Sequence, residues 1–346
     1  MAPPSTTWTA ALAILAKGAA LLLVAYTTVA AIVAFVPEGN DYAQASAFKH
    51  HLLAAAPGRR IVLIGGSNLA FGIDSSIIEQ ATGCATVNMG MNGRLGLRFL
   101  LEETRPYLRR GDIAVAAFEY DGFYEPADGH NADQLMIVKA NPQAFAYLDW
   151  PQRQALVSAV PYVAQEKLVR LTGQAYFSAL DRLDGMPPEP PDAIDIDAIE
   201  SFKGFNERGD LVSHLGIKWP WDFEDGVDMS SMTMDATAVP LLAEFGRSLQ
   251  ARGVDVVLSY TSVMRRYFER HKQAIESLHA QVTRSTTLLV PSPPDAFVYD
   301  EALFFDTVYH LNAEGRRIRS VRVAQDIGRA LGTPAPCRPQ AADAQH

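Results

Sequence analysis

The sequence predicts an α/β protein built on a doubly wound, five-stranded parallel sheet, with a large insertion and one N-terminal transmembrane helix. Three observations predict it. An uncharged run, Gly18 to Val36, lies near the start. Short apolar runs alternate with amphipathic stretches both before Asp121 and after Asp255, the pattern of a parallel sheet flanked by helices. The stretch between those two halves does not follow the alternation, which marks it as an insertion.

Composition narrows the class. The 346 residues are 48% hydrophobic and 20% charged, too apolar for a disordered chain and too charged for a polytopic membrane protein. Thirty Lys+Arg against 39 Asp+Glu leave a formal net charge of −9. Such a surface argues against a nucleic-acid partner, which needs a concentrated basic face. Two cysteines, Cys84 and Cys337, are too few for a disulfide scaffold, and neither belongs to a CxxC or Cys/His cluster.

The first element is the membrane anchor. The 19 residues 18–36 carry no charge, and as a helix they would span about 28 Å, close to the hydrocarbon thickness of a bilayer. Lys17 bounds the run on one side and Pro37-Glu38-Gly39-Asn40-Asp41 on the other. A buried core helix and a cleaved signal peptide are the alternatives. A signal peptide has a shorter apolar region followed by a small-residue cleavage site; here the run passes directly into Pro-Glu-Gly, which favours a retained anchor. The flanking cations, Lys17 and Lys49, do not fix its orientation. Residues 1–40 are thus read as tail and anchor, 41–335 as the α/β domain, and 336–346 as a flexible tail.

After an amphipathic stretch, Tyr42 to Ala56, the strands begin. Arg60 to Ile64 is a buried strand ending in Gly65-Gly66. Asp74-Ser75-Ser76 caps a helix running to about Thr82. Ala85 to Asn88 gives the second strand, Leu95 to Leu108 a helix, and Ile113 to Phe118 the third strand. A helical pattern at 238–252 precedes a fourth strand at 254–260. Thr286 to Val290 is the fifth strand, and Asn312 to Leu331 the closing helix. In such sheets working residues sit at the C-terminal ends of the strands.

The insertion, 121–255, holds helical stretches at Gln143–Leu148 and Pro151–Leu171, a Pro-rich segment at 186–191 and an acidic run from Asp192 to Glu200. The Pro-rich segment reads as a linker or surface strap, and the acidic run as a solvated face rather than a metal site. Gly204 to Val212 suggests a hairpin turning near Arg208-Gly209-Asp210. The insertion as a whole is expected to form a cap or lid beside the sheet.

Two constellations carry chemistry. Gly65-Gly66-Ser67-Asn68 follows the first strand and matches neither a P-loop, a dinucleotide fingerprint nor Gly-x-Ser-x-Gly. It presents a serine where a strand ends and a helix starts, and a serine hydroxyl needs a base within hydrogen-bond reach to become a nucleophile. Asp306 and His310 lie four residues apart just before the closing helix, which Asn312 can cap. A neutral imidazole can take the serine proton, and a carboxylate can fix its tautomer. No metal-ligand spacing such as His-Glu-x-x-His occurs, and no cofactor is expected.

Together these blocks resemble the SGNH (GDSL-type) hydrolase family, across roughly residues 60–120 and 240–331. The resemblance implies a flavodoxin-like sheet. It makes Ser67 the nucleophile, with Asp306 and His310 completing the triad. Asn88-Met89-Gly90-Met91-Asn92-Gly93 matches the family's second block, so Gly93 would supply an oxyanion-hole N–H beside that of Ser67. Three departures stand out. Gly66 replaces the usual Asp before the serine. Three residues rather than two separate Asp306 from His310. The third-block Asn has no match, because the third strand ends Phe118-Glu119-Tyr120-Asp121; Asn92 or Asn68 are the candidates to replace it.

The single anchor with these blocks looks like the divergent membrane-anchored branch. That branch includes the D-alanyl transfer protein of teichoic acid synthesis and the O-acetylation proteins of bacterial exopolysaccharides. It implies a plasma-membrane, single-pass protein whose C-terminal domain is extracytoplasmic and works beside a polytopic membrane O-acyltransferase on a glycan or acyl ester. The alternative is a non-catalytic accessory protein that binds a glycan or such a partner.

Overall fold

The computed structural model describes residues 6–38, 40–184 and 194–337. The Pro-rich segment 186–191, Asp192 and the tail beyond 337 lie outside the described residues. In chain order the first elements are α1 (Thr6–Phe35), α2 (Ala45–Ala55), β1 (Arg60–Gly65), α3 (Ser67–Gly72), α4 (Ser75–Thr82) and β2 (Ala85–Asn88). Then come α5 (Leu97–Thr104), β3 (Ile113–Ala117), α6 (Asn131–Ala140), α7 (Trp150–Asp184) and α8 (Ile196–Ile199). The last group is α9 (Ala238–Ala251), β4 (Asp255–Leu258), β5 (Val263–Met264), α10 (Arg265–Arg270), α11 (Lys272–Ser285), β6 (Val298–Tyr299) and α12 (Ala313–Leu331).

The chain forms two compact units, one of residues 1–39 and 150–194, the other of 40–149 and 195–346. The first holds α1 and α7. The window Trp8–Phe35 of α1 is long and apolar enough to cross a membrane. The helix starts before Gly18 because residues 6–16 are themselves mostly apolar helix formers, and a single Lys17 can extend its ammonium along the helix toward water. The last carbonyls of a helix lack partners within it; here Lys167 of α7 supplies them, its Nζ donating to Val33 O (3.1 Å) and Val36 O (2.8 Å) while pairing with Glu38 (2.6 Å). Tyr26 Oη donates to Val157 O at 3.3 Å. The insertion is therefore not one lid: its 150–194 part joins the anchor and the remainder joins the sheet.

The second unit is built on a parallel sheet of four strands in the order β2-β1-β3-β4. Every residue of β1 and β3 is buried, as expected when helices cover both faces. The five-stranded expectation is corrected here. Segment 286–290 reaches the β4 edge but pairs only through Leu289, whose N–H donates to Val256 O and whose carbonyl accepts from Leu258 N–H. Pro291 follows at once and has no N–H with which to extend a ladder. The helix expected over 95–108 is also shorter: Gly96, at φ +86°, starts α5 late, and Pro106 ends it in a 3₁₀ turn.

Val212 N–H bonds Gly204 O and Asn206 N–H bonds Asp210 O, so the 204–212 hairpin forms as read. Its turn meets β2, where Arg208 O accepts the Asn88 N–H; Gly209 and Asp210 are buried and Glu207 is exposed. Cys84 and Cys337 are joined in a disulfide that ties the start of β2 to the segment after α12. One bridge does not make a scaffold, yet it anchors the chain's end to the sheet unit.

Candidate active site at the carboxyl ends of β1 and β3

Ser67 opens α3 directly after β1. The two glycines before it leave room for their neighbours, Gly65 for backbone and Gly66 for a side chain. Neither has a positive φ, but a Cβ on Gly65 would overlap the Ala117 carbonyl, and one on Gly66 would overlap the Glu119 carboxylate. Glu119 lies two residues past the end of β3 and is 8% exposed. Its Oε1 accepts the Asn68 N–H at 2.7 Å and the Ser67 hydroxyl at 3.3 Å.

The loop after β2 lies alongside. Met89 N–H donates to Leu63 O and Met91 N–H to Gly65 O, so the loop follows the end of β1. A Cβ on Gly90 would come within 2.7 Å of Ala70 N, and one on Gly93 within 3.0 Å of Glu119 Oε2. Gly93 therefore borders the same recess as Gly66 and Ser67. Among the described residues, the N–H groups of Ser67 and Gly93 make no loop or turn hydrogen bond to backbone.

A buried polar network holds this loop. Lys49 Nζ donates to the carbonyls of Gly90 and Gly209. Asn88 Nδ2 donates to Leu69 O (2.8 Å) and Asp210 Oδ1 (2.8 Å), and Asp210 accepts both the N–H and the hydroxyl of Ser75. Burial pulls the Lys49 ammonium down to about 7, against the opposing pull of Asp210 and Glu103.

His310 is presented by a tight loop. Phe305 N–H donates to His310 O at 2.8 Å, and the Thr307 hydroxyl accepts the N–H groups of Tyr309 and His310. This turn brings Asp306 Oδ1 to His310 Nδ1 at 2.8 Å. The imidazole lies flat on Phe71, centroids 4.0 Å apart and planes 1° from parallel. Phe71 is one helical turn past Ser67, on the same side of α3, so the His310 loop and the serine helix are packed together.

Burial lowers the His310 pKa, but Asp306, Glu119 and Glu200 together outweigh it and the net direction is up. Burial pushes the Asp306 carboxyl up, but the His310 imidazole outweighs it and the group ends below its ordinary value. His214, against Phe71 and Phe305, is driven down to about 3 by burial and by Arg316. It is neutral, and its Nε2 faces Leu311 O at 3.1 Å.

The expected residues are thus gathered in part. Ser67, Gly93, Asp306 and His310 share one neighbourhood, but the hydrogen bond of Ser67 goes to Glu119 and not to His310. The two asparagines are committed elsewhere. Asn92 Nδ2 faces Asp133 (3.3 Å) and its Oδ1 caps Arg94 N–H. Asn68 Nδ2 donates to Ala117 O, and its Oδ1 accepts from Arg319.

Glu119, Phe71 and Glu200 were not singled out by sequence reasoning. Position at a strand's carboxyl end was the available signal for Glu119. Glu200 closes the acidic run read as a solvated face; burial raises its pKa and it lies in the field of His310 and Asp306. Asp195 of that run caps α8. Among the described residues no group of three or more His, Cys, Asp or Glu is placed to hold a metal ion. A scan of protein-family models finds no match to the chain, and a search of curated proteins finds none.

Proposed function

We propose that the protein is a membrane-anchored, extracytoplasmic serine acyltransferase or esterase acting on O-acyl groups of a cell-surface glycan or a related ester. The observation that carries the reading is the Asp306–His310 pair stacked on the helix that begins with Ser67. With Nδ1–H directed at Asp306, His310 Nε2 is the free base. Rotation of Ser67 from Glu119 toward that nitrogen would let Oγ attack an acyl carbonyl as His310 takes its proton. The N–H groups of Ser67 and Gly93 would face the tetrahedral oxyanion. His310 would then return the proton to the departing alkoxide, and a sugar hydroxyl or water would accept the acyl group. The strand order β2-β1-β3-β4, with Leu289 at the β4 edge, supports the flavodoxin-like, SGNH-type assignment.

α1 supports a single-pass anchor in the plasma membrane. The Cys84–Cys337 disulfide supports an oxidising, extracytoplasmic setting for the sheet unit. The intact chain should sediment with membranes and resist extraction by high salt; release by salt alone would mean peripheral attachment. A second reading, a non-catalytic accessory protein that binds a glycan or a polytopic O-acyltransferase, is favoured by the Ser67–Glu119 contact. Acyl content of the surface glycan separates the two. In a Ser67→Ala strain with normal protein level it should collapse if the serine is the nucleophile, and stay near normal for an accessory protein.

A further inference from the structure

We propose that Glu119 controls the reactivity of Ser67: its carboxylate stands beside the residues that would hold an acyl oxyanion and draws the serine hydroxyl to itself, so the serine stays unreactive while the carboxylate stands there. The inference rests on the serine-enzyme reading and adds to it the residue that gates the chemistry.

Three observations meet at this carboxylate. The first is position. Glu119 Oε2 would overlap a Cβ on Gly66 and come within 3.0 Å of one on Gly93, so it borders the residues whose N–H groups would receive an oxyanion. The second is hydrogen bonding. Glu119 Oε1 accepts from Asn68 N–H and from the nucleophile's own hydroxyl, so Ser67 in this state is directed at a carboxylate and away from His310. The third is charge. A tetrahedral intermediate places a full negative charge in this recess, and a carboxylate there opposes it where donors should stabilise it. His310 and the buried Arg319 feel the carboxylate, and Arg319 is spent on Asn68, donating to its carbonyl and its side-chain oxygen.

The same geometry joins two of the three sequence departures. The SGNH pattern has an Asp where this chain has Gly66, and its third-block Asn has no match near the end of β3, where Glu119 lies. Any side chain on Gly66 would collide with the Glu119 carboxylate, and an Asp would add like charge.

A fluorophosphonate probe tests this without knowledge of the natural substrate. Ser67 Oγ forms a bond to phosphorus, the P–F bond breaks, fluoride leaves, and the serine proton passes to His310. The phosphoryl oxygen then occupies the oxyanion position. Full-length protein in its membrane or in detergent is labelled as wild type, Glu119→Gln, Glu119→Ala and Ser67→Ala, with the label located by peptide mass and folding checked by thermal melt.

Glu119→Gln keeps the shape, removes the charge and adds an N–H donor. It should label about a hundredfold faster than wild type, the low end of the scale of one oxyanion donor. Glu119→Ala should fall between them. A merely structural glutamate cannot produce that gain. Labelling of Glu119→Gln at or below the wild-type rate overturns the inference, and a collapse would make Glu119 the base of Ser67 instead. No labelling in any folded variant removes the serine-nucleophile reading, and the inference with it.

The spatial coupling has its own check, independent of labelling. Gly66→Asp alone should lower the melting temperature, and Glu119→Asn in the same chain should restore most of it. Strictly additive effects would overturn the coupling.

Discussion

At His310 the contacts fix the ring: Asp306 holds Nδ1 at 2.8 Å, the Thr307 hydroxyl fixes the loop, and Phe71 supports the ring face. At Ser67, on the other side of the same site, the contacts serve a different end. Its hydroxyl and the next N–H both point to Glu119, and the asparagine amides nearby brace the sheet, the adjoining loop and α12. One half is prepared to accept a proton, the other is held from giving one. The Asp306–His310 pair is joined by a hydrogen bond, whereas Ser67 bonds Glu119 and not His310. What else enters the recess decides whether the assembly reacts.

If the halves act as one catalytic unit, Ser67→Ala and His310→Ala should each cut acyl transfer, or cleavage of an activated ester, by several orders of magnitude. The double variant should cost little more. A His310→Ala protein that keeps most of its activity would break the comparison, because Glu119 would then be serving Ser67 as its base. Asp306→Asn should cost about 10²- to 10⁴-fold while leaving the fold intact, since the amide leaves the tautomer and orientation of His310 unsupported. Phe71→Leu is the next step down. It removes the ring under the imidazole and part of a buried side chain, so stability should fall by about 1–2 kcal/mol in denaturant titration and kcat roughly tenfold through misplacement of His310. An unchanged kcat would mean that the stack only packs.

How far the sequence reveals these halves differs in the same way. The His310 block is local: Asp306, His310 and the Asn312 cap lie within seven residues, so their spacing shows their relation. The strands β1 to β4 are legible because a strand buried on both faces reads as a continuous apolar run. The fifth is not, since a run of suitable residues does not say how far its ladder extends; Pro291 stops this one after a single bridge. The Ser67 half depends on contacts between residues far apart in the chain. Gly66 meets Glu119, and Asn68 meets Arg319, pairings that no local pattern encodes. The acidic run misleads for a related reason. Charge alone suggests solvent, whereas the turn after α8 carries Glu200 into the field of His310.

Glu200 gives the finest test of the comparison, because it acts on the His310 half from a distance. His310 must be neutral to take the serine proton, so kcat/KM should rise with pH through its pKa. Burial lowers that pKa and the carboxylates of Asp306, Glu119 and Glu200 raise it, with a net rise above the ordinary 6.5. The acid limb of the wild-type profile should therefore lie above 6.5. Glu200→Gln removes one raising charge, so the limb should move to lower pH, toward the ordinary value, with the plateau rate retained. The shift should be smaller than that from Glu119→Gln, since Glu119 acts more strongly on the imidazole. Burial raises the pKa of Glu200 itself, so its influence weakens as pH falls. A limb that moves upward would contradict the electrostatic account of His310. A collapse of the plateau would instead make Glu200 a participant in binding or catalysis, and the site would then have a third side.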